Sequence, residues 1–339
     1  MVARDQAMPH GQHELDVSII VVSYNTRAMT LTCLDSVAAE TVAVRHEVIV
    51  VDNASTDGSA DAIAGHPSAP VLIRSAANLG FARGNNLAAR RARGRYILLL
   101  NPDTVVRDRA IDRLAAFARA RPEALIWGGR TRFADGRLNP ASCWGRMTPW
   151  NLFCRAAGLT GMFPDSALYN GEAYGGWARD SVREVDIVSG CFLLIPAALW
   201  RRLDGFDPAF YMYGEEADLC LRARRLGARP AVTPEATIIH HGGASEATRV
   251  GKMTRLLAAK TLLVRRHWHP LIAPLGAALI AAWPLSRWLA LATAARTGRR
   301  PGAGEVAAAW REIWSARKQW RSGYGAGEPA SAAQLSTSR

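Results

Sequence analysis

Several things are missing from this 339-residue sequence, and each absence narrows its reading. Its five cysteines, Cys33, Cys143, Cys154, Cys191 and Cys220, are dispersed without C-x-x-C spacing. That excludes a disulfide frame or a zinc site in favour of reduced thiols. The polar start MVARDQAMPHGQHELD has no apolar h-region, so no secretory signal is expected and the main body is expected to face the cytoplasm. No G-x-G-x-x-G follows the first strand-like run and no G-x-x-x-x-G-K-[ST] loop occurs, which disfavours a nicotinamide enzyme. Acidic residues are scarce late in the chain: residues 246–339 carry fifteen Lys or Arg against four Asp or Glu, a net +11 of the total +13. The first 245 residues are thus nearly neutral. A basic groove across the main body is absent and no nucleic-acid partner is expected, whereas an anionic membrane surface suits the late segment.

What is present describes an ordinary folded chain, 49% apolar and 21% charged, long enough for one large domain or two. VSIIVVSYN is a β-branched run that fits a strand buried on both faces of a parallel sheet. HEVIVVDN, VLIR and RYILLLNPD repeat the pattern, with helical spacing between the runs. The alternation predicts βαβ units and a doubly wound, mostly parallel α/β sheet, whose ligands bind outside the carboxyl ends of the strands. Asn25, Asp52, Asn53 and Asp103 all fall at such ends. One is turn chemistry; four on one rim read as a site. Asp52 is placed to accept hydrogen bonds from a ribose or base. Asp103, after the stiff Pro102, offers a hard carboxylate to a divalent cation but needs partners, and His240 is one candidate. Asp57 reads as a helix cap, and the Gly80–Gly84 spacing alone is weak.

The centre of the sequence is the stretch 186–245. There an aromatic run, Phe210, Tyr211 and Tyr213, precedes Gly214 and three acids, Glu215, Glu216 and Asp218, which open an amphipathic helix. The helix macrodipole accounts for one or two acids in a first turn. Three of them behind water-excluding aromatics, followed by His240-His241 and a glycine pair, suit a general base. Residues 129–185, with Trp144, Trp150 and Trp177, read as loops and short helices around an acceptor cleft. Beyond 245, residues 252–269 form a basic amphipathic helix. Residues 271–295 are strongly apolar but interrupted by Pro274, Pro284 and Arg287, which predicts an interfacial or re-entrant helix pair and not a clean span. Six of the eleven tryptophans lie in this late segment beside Arg and Lys, the composition of a membrane-interface belt; a helical cap on the main body is the plainer alternative. The expected divisions are a flexible 1–15, a catalytic 16–245, a basic, apolar, helical membrane-association region 246–321 and a disordered 322–339.

Taken in order, VSIIVVSYN, VVDNASTDGS, NLGFARGNN, LLLNPD, SGCFLLIP, GFDPAFYMYGEEADLCLRARRLG and HHGGAS resemble glycosyltransferase family 2, especially its rhamnosyltransferase-like bacterial members. The resemblance runs from about residue 17 to 245. It implies the A-type glycosyltransferase fold and an inverting, metal-dependent transfer from a nucleotide-diphosphate sugar to a lipid-linked or glycan acceptor. It further implies cell-envelope polysaccharide synthesis at the cytoplasmic face of the inner membrane, with Mg or Mn as cofactor. On the donor side it implies Ser23, Tyr24, Asn25, Asp52, Asn78, Gly80, Asn86 and Asn101. Asn101-Pro102-Asp103 fills the family's D-x-D slot with one acid, so Asp103 is the implied metal ligand there, and His240 matches the family's later histidine near the metal, with His241 as the alternative. Glu216 stands where many members have Asp in an E-D pair and is the implied base, with Glu215 and Asp218 in support. The rival reading is a catalytically silent protein that binds nucleotide-sugar or lipid on the same fold.

Overall fold

The computed structural model describes residues 15–242, 249–298 and 301–324. Most of the expected loose N-terminus, residues 243–245 of the HHGGAS motif and the tail from 325 onward lie outside the described residues.

β1 (Val17–Ser23) is buried along its whole length, and its alternation divides the interior. Val17, Ile19 and Val21 enter one core with Cys33, Leu34 and Val37 of α1 (Arg27–Glu40); Ile20 and Val22 enter the other. β2 (His46–Asp52), α2 (Ser59–Ala64), β3 (Val71–Arg74), α3 (Gly80–Ala89) and β4 (Tyr96–Leu100) complete the parallel half. There follow β5 (Thr104–Val106), α4 (Ala110–Ala120) and β6 (Trp127–Arg132). An irregular stretch carries β7 (Leu138–Asn139), β8 (Cys143–Trp144), α5 (Pro149–Ala157), α6 (Leu159–Met162), β9 (Arg183–Glu184) and β10 (Ile187–Val188). β11 (Phe192–Pro196), α7 (Ala197–Arg202), α8 (Glu215–Arg225) and β12 (Ala231–His240) close the main body.

The large sheet runs in the order β3-β2-β1-β4-β11-β6-β12-β5. β3, β2, β1 and β4 are mutually parallel, as the βαβ spacing predicts, whereas β11 is antiparallel to both β4 and β6. α1 and α4 cover one face; α3, α7 and α8 cover the other. The carboxyl ends of β1, β2 and β4 therefore open onto one rim.

After β12 come α9 (Arg249–His267), α10 (Ala273–Arg296), α11 (Ala303–Ser315) and α12 (Arg317–Trp320). They share a third core with α5: Leu152 and Ala156 meet Leu257, Val264, Ile280, Trp283, Trp310 and Trp320. Behind it, the buried Glu172 carboxylate sits between Arg155, at 3.1 Å, and Lys260 of α9. The late helices are thus joined to the main body by both apolar and ionic contacts. α10 also departs from the expected helix pair, being a single helix of 24 residues. Pro274 stands in its first turn, where an N–H has no helical partner. Pro284 is interior and buried, and packing against α5, α9 and α11 holds the helix together across the missing hydrogen bond. By length and composition α10 is the one described helix able to cross a membrane, and only 28% of its most apolar window is buried.

Candidate active site

The rim is built from loops that fasten one another. Asn25, in the left-handed region at φ 51°, accepts from the Thr56 N–H at 2.8 Å, and its own N–H donates to Ser55 at 3.0 Å. The loops after β1 and β2 are therefore locked together. Asp52 accepts from the Ser55 N–H through Oδ2 at 3.2 Å, while its buried Oδ1 has no partner in the protein. Asn53 donates to Asn78 Oδ1 at 2.9 Å and accepts from the Leu79 N–H at 2.8 Å, and so shapes the turn into α3. Gly80 completes that turn at φ +75°, where a Cβ would lie 2.5 Å from the Tyr211 carbonyl oxygen; no other residue fits.

At the end of β4, the Asn101 N–H donates to the Cys191 carbonyl at 3.2 Å, and Asn101 Nδ2 lies 3.3 Å from His240 Nε2. Asp103 Oδ1 is 3.4 Å from the same imidazole nitrogen, and its Oδ2 accepts from the Gly242 N–H at 2.9 Å. Burial opposes the Asp103 charge, but His240 and the Gly242 N–H hold its carboxyl below the usual range. Burial likewise opposes a charged His240, yet Cys191 and Asp103 beside it push the imidazole up to about 10. A bound cation would invert that balance, since it repels a second positive charge and takes a neutral imidazole. Asn101 Oδ1 and His240 Nδ1 are buried and have no partner. Asp103, His240 and Asn101 thus offer part of an oxygen- and nitrogen-rich shell. No group of three acidic, histidine or cysteine side chains converges among the described residues. Two or three protein donors completed by substrate phosphates and water match how Mg is usually bound.

The acids stand where α8 begins. Tyr213 and Gly214 both take positive φ, 70° and 86°, to turn the chain into the helix. Each of Glu215 and Glu216 has a buried carboxylate oxygen without a partner. Burial first, and then the charge of Glu216, raise Glu215 well above the ordinary range. Burial also raises Glu216, against the pull of the Gly214, Glu216 and Ala217 backbone amides. Both carboxyls are thus pushed up by burial, Glu215 the further of the two. Gly190 connects this pair with the β4 end: a Cβ there would lie 3.1 Å from the Phe81 ring and 3.8 Å from Glu216 Cβ, and Cys191 follows it. A separate cavity of about 680 Å³ is lined by Arg107, Arg130, Arg132, Asp180 and Glu235, with Ile239, the residue before His240, at its edge.

Three expected residues do other work. The Ser23 hydroxyl is buried among Thr26 and Thr30, so it fixes the start of α1 and offers nothing to a ligand. Asn86 spends both ends of its amide on the backbone of Phe206, at 2.7 and 2.9 Å. Asp218 is committed to Arg222, at 2.7 Å, and to His267 of α9, at 2.8 Å, which makes it an anchor between helices. Tyr24 is half-buried at the same rim, near enough to Tyr211 to bear on its hydroxyl. Gly190 and Cys191 adjoin these residues and were not singled out from the sequence; their signal was a glycine placed directly before a buried run. Gly242 is one of the glycine pair after the histidines.

Residues 18–174 match the family model described as glycosyl transferase family 2. Over that stretch the chain resembles glycosyltransferase family 2. The O-antigen biosynthesis protein RfbC of Myxococcus xanthus is 29% identical over 239 residues, which are 68% of this chain and 17% of that protein. The N-acetylglucosaminyl-diphospho-decaprenol L-rhamnosyltransferase of Mycobacterium tuberculosis is 27% identical over 209 residues, 57% of this chain and 66% of that one. The fold is similar to that of the mannosyltransferase PcManGT from Pyrobaculum calidifontis, solved with GDP-Man and Mn2+. The TM-score is 0.56 at 17% identity, over 91% of this chain and 87% of the other. The sheet order, the helices on its two faces and this likeness give the chain an A-type glycosyltransferase fold.

Proposed function

We propose that the chain is an inverting glycosyltransferase. It moves a sugar, rhamnose being the first to test, from a nucleoside-diphosphate donor to a hydroxyl of a lipid-linked or polysaccharide acceptor in cell-envelope glycan synthesis. One observation carries the reading. Eight buried side-chain polar atoms lack a partner among the described residues, and five belong to Asp52, Asn101, Glu215, Glu216 and His240. Buried polar groups are nearly always paired, so five orphans at one rim argue for a polar ligand. A donor and an acceptor hydroxyl would meet them. The lipid-linked rhamnosyl transfer named for the mycobacterial relative supports the same substrate classes.

In this reading Asp52 accepts from the ribose or base, and the Asn25, Asn78 and Gly80 turns shape the donor side. Glu216 takes the proton from the acceptor hydroxyl as its oxygen attacks the anomeric carbon. The diphosphate leaves from the opposite face, which inverts that carbon. Burial favours the neutral form of Glu215, which spares Glu216 a second adjacent charge. Asp103 and His240, with Asn101 beside them, would hold a Mg or Mn ion, which when bound neutralises charge on the departing diphosphate. The late basic helices attach the enzyme to an anionic membrane, at the cytoplasmic face of the inner membrane, where a lipid-linked acceptor is presented. The test is a panel of nucleotide-sugars with Mg or Mn, read as nucleoside-diphosphate release and as the anomeric configuration of the product. One donor should turn over faster with acceptor and yield the inverted linkage. Release from none, with and without lipid-linked acceptors, would mean a protein that binds on this fold without transferring.

A further inference from the structure

Among the described residues fourteen large apolar side chains are exposed, and nine of them gather in one region. Five come from α5, α6 and the segment after them: Trp150, Phe153, Met162, Phe163 and Leu168. Four lie along α10 and just before it: Leu271, Ile272, Leu275 and Leu289. Singly exposed apolar residues are ordinary, but a contiguous patch calls for a partner.

The two groups adjoin. Ile272 and Pro149 line one shallow groove at the start of both helices. Further along, the Ser286 hydroxyl donates to the Ala156 carbonyl at 2.6 Å and Arg287 to the Arg155 carbonyl at 3.3 Å. α5 and α10 therefore run side by side in the same direction. On the α5 side the rings form a continuous surface: Trp150 is 5.6 Å from Phe153 and 6.3 Å from Tyr169, which is 5.0 Å from Phe163. Just before α10 and along it, Leu271, Leu275, Ala278 and Leu289 are exposed and fall on one side of the helix, while Ala282 between them packs against the third core. Gly276, Ile280 and Trp283 point inward and are buried. Arg287 is the one charged residue between 271 and 295, and its guanidinium turns inward over Gly158.

We infer that this composite face, the α5–α6 ring cluster together with the outward side of α10, docks on an anionic bilayer. The inference rests on the membrane attachment proposed above and adds where the body of the protein touches the surface. A second copy of the chain is the weaker occupant, because the segment carrying α10 has a net charge of +11 and pairing two copies would bring like charges together. The same charge complements an anionic leaflet, and Trp and Tyr favour the headgroup region. Because its inward side is fixed to α5, α9 and α11, α10 lies in the surface and does not cross it.

The test is co-sedimentation of the full chain with phosphatidylglycerol vesicles at low and high salt. Two variants are compared: Trp150→Ser, Phe153→Ser, Met162→Ser, Phe163→Ser, and Leu271→Ser, Leu275→Ser, Leu289→Ser. All seven side chains are exposed, and a thermal melt checks that both variants fold. Each set should lower partitioning by at least about tenfold, most clearly at high salt where the charge part is screened. Donor turnover on a water-soluble acceptor should be unchanged. If only the α10 set weakens binding, the composite face is wrong while the attachment of the late helices stands. A wild-type chain that stays in the supernatant overturns both, and still leaves sugar transfer to be judged by diphosphate release. A dimer in solution that either set dissociates, without vesicle binding, would make a second copy the occupant and overturn the inference.

Discussion

Replacing Glu216 by Gln removes one proton acceptor and almost nothing else. The amide keeps the length and volume of the side chain, so the start of α8 and the contact at Gly190 persist. The donor-side residues Asp52, Asn78 and Gly80 belong to other strand ends and turns. Loss of a general base typically costs ~10²–10⁴-fold in rate, which is about 3–5 kcal/mol of barrier. The expected result is a kcat lower by that factor with donor affinity within about twofold of wild type. Glu215→Gln should retain most activity, because Glu215 is the more strongly protonated of the pair and an amide imitates its neutral form. The pH profile supplies an independent reading. In the proposed mechanism activity needs ionised Glu216, which burial holds above the ordinary range, so the acid limb should fall above ~4.3, the value for a free Glu. Stability follows the opposite sign. Carboxyls raised in the fold stabilise it most below ~4.3, and that contribution is lost as pH rises through their folded-state values. Glu215→Gln should therefore melt higher than wild type at pH 8. The assay is steady-state diphosphate release from pH 5 to 9, with donor affinity by calorimetry and melting by fluorescence. A dead Glu215→Gln beside an active Glu216→Gln would refute the assignment of the base.

Three further outcomes are expected. Asp103→Asn should abolish metal-stimulated transfer while leaving the melting temperature near wild type, and full wild-type activity in excess chelator would remove the metal from the reaction. Asn86→Ala leaves two backbone groups of Phe206 unsatisfied, a loss of roughly 1–3 kcal/mol each; urea unfolding should show it, with donor KM unmoved. Lys260→Met takes one cation from the buried Glu172, whose charge burial opposes and Lys260 and Arg155 sustain. It should cost about 3 kcal/mol at pH 7, and less as pH falls through the lowered Glu172 value; an unchanged urea midpoint would show the ion pair to be idle.

Much of the site was legible because strand ends are local events. A buried β-branched run that stops at Asn25, Asp52 or Asp103 announces both the strand and its open end; the acids behind the aromatic run and the paired histidines stood out on local features, and the family resemblance gave them roles. The contacts that were not legible join residues far apart in the chain. Asn86 meets Phe206 across 120 positions, Lys260 meets Glu172 across 88 and Asp218 meets His267 across 49. No local pattern announces such pairings, so side chains that look like ligands in sequence proved to be fasteners. Pro284 misled for the complementary reason: a local helix-breaking rule was overridden by packing on three sides. The antiparallel β11 was hidden because strand direction is set by the connection and not by composition.

The far end of the described chain reaches back to the acids. The Tyr324 hydroxyl donates to the Met212 carbonyl, one residue before the Tyr213-Gly214 turn that launches Glu215 and Glu216, and it also bonds the Arg255 carbonyl at 3.2 Å. During synthesis that support arrives late. At roughly 5–20 residues per second, the stretch from the acid pair to Tyr324 takes on the order of 5–20 s to make. Through that interval the sheet can be complete while the turn beneath the acids lacks its last fastening. The turn that sets the two acids is therefore completed only when the late helices have seated against the main body, and on the proposed mechanism acceptor activation would wait for that step.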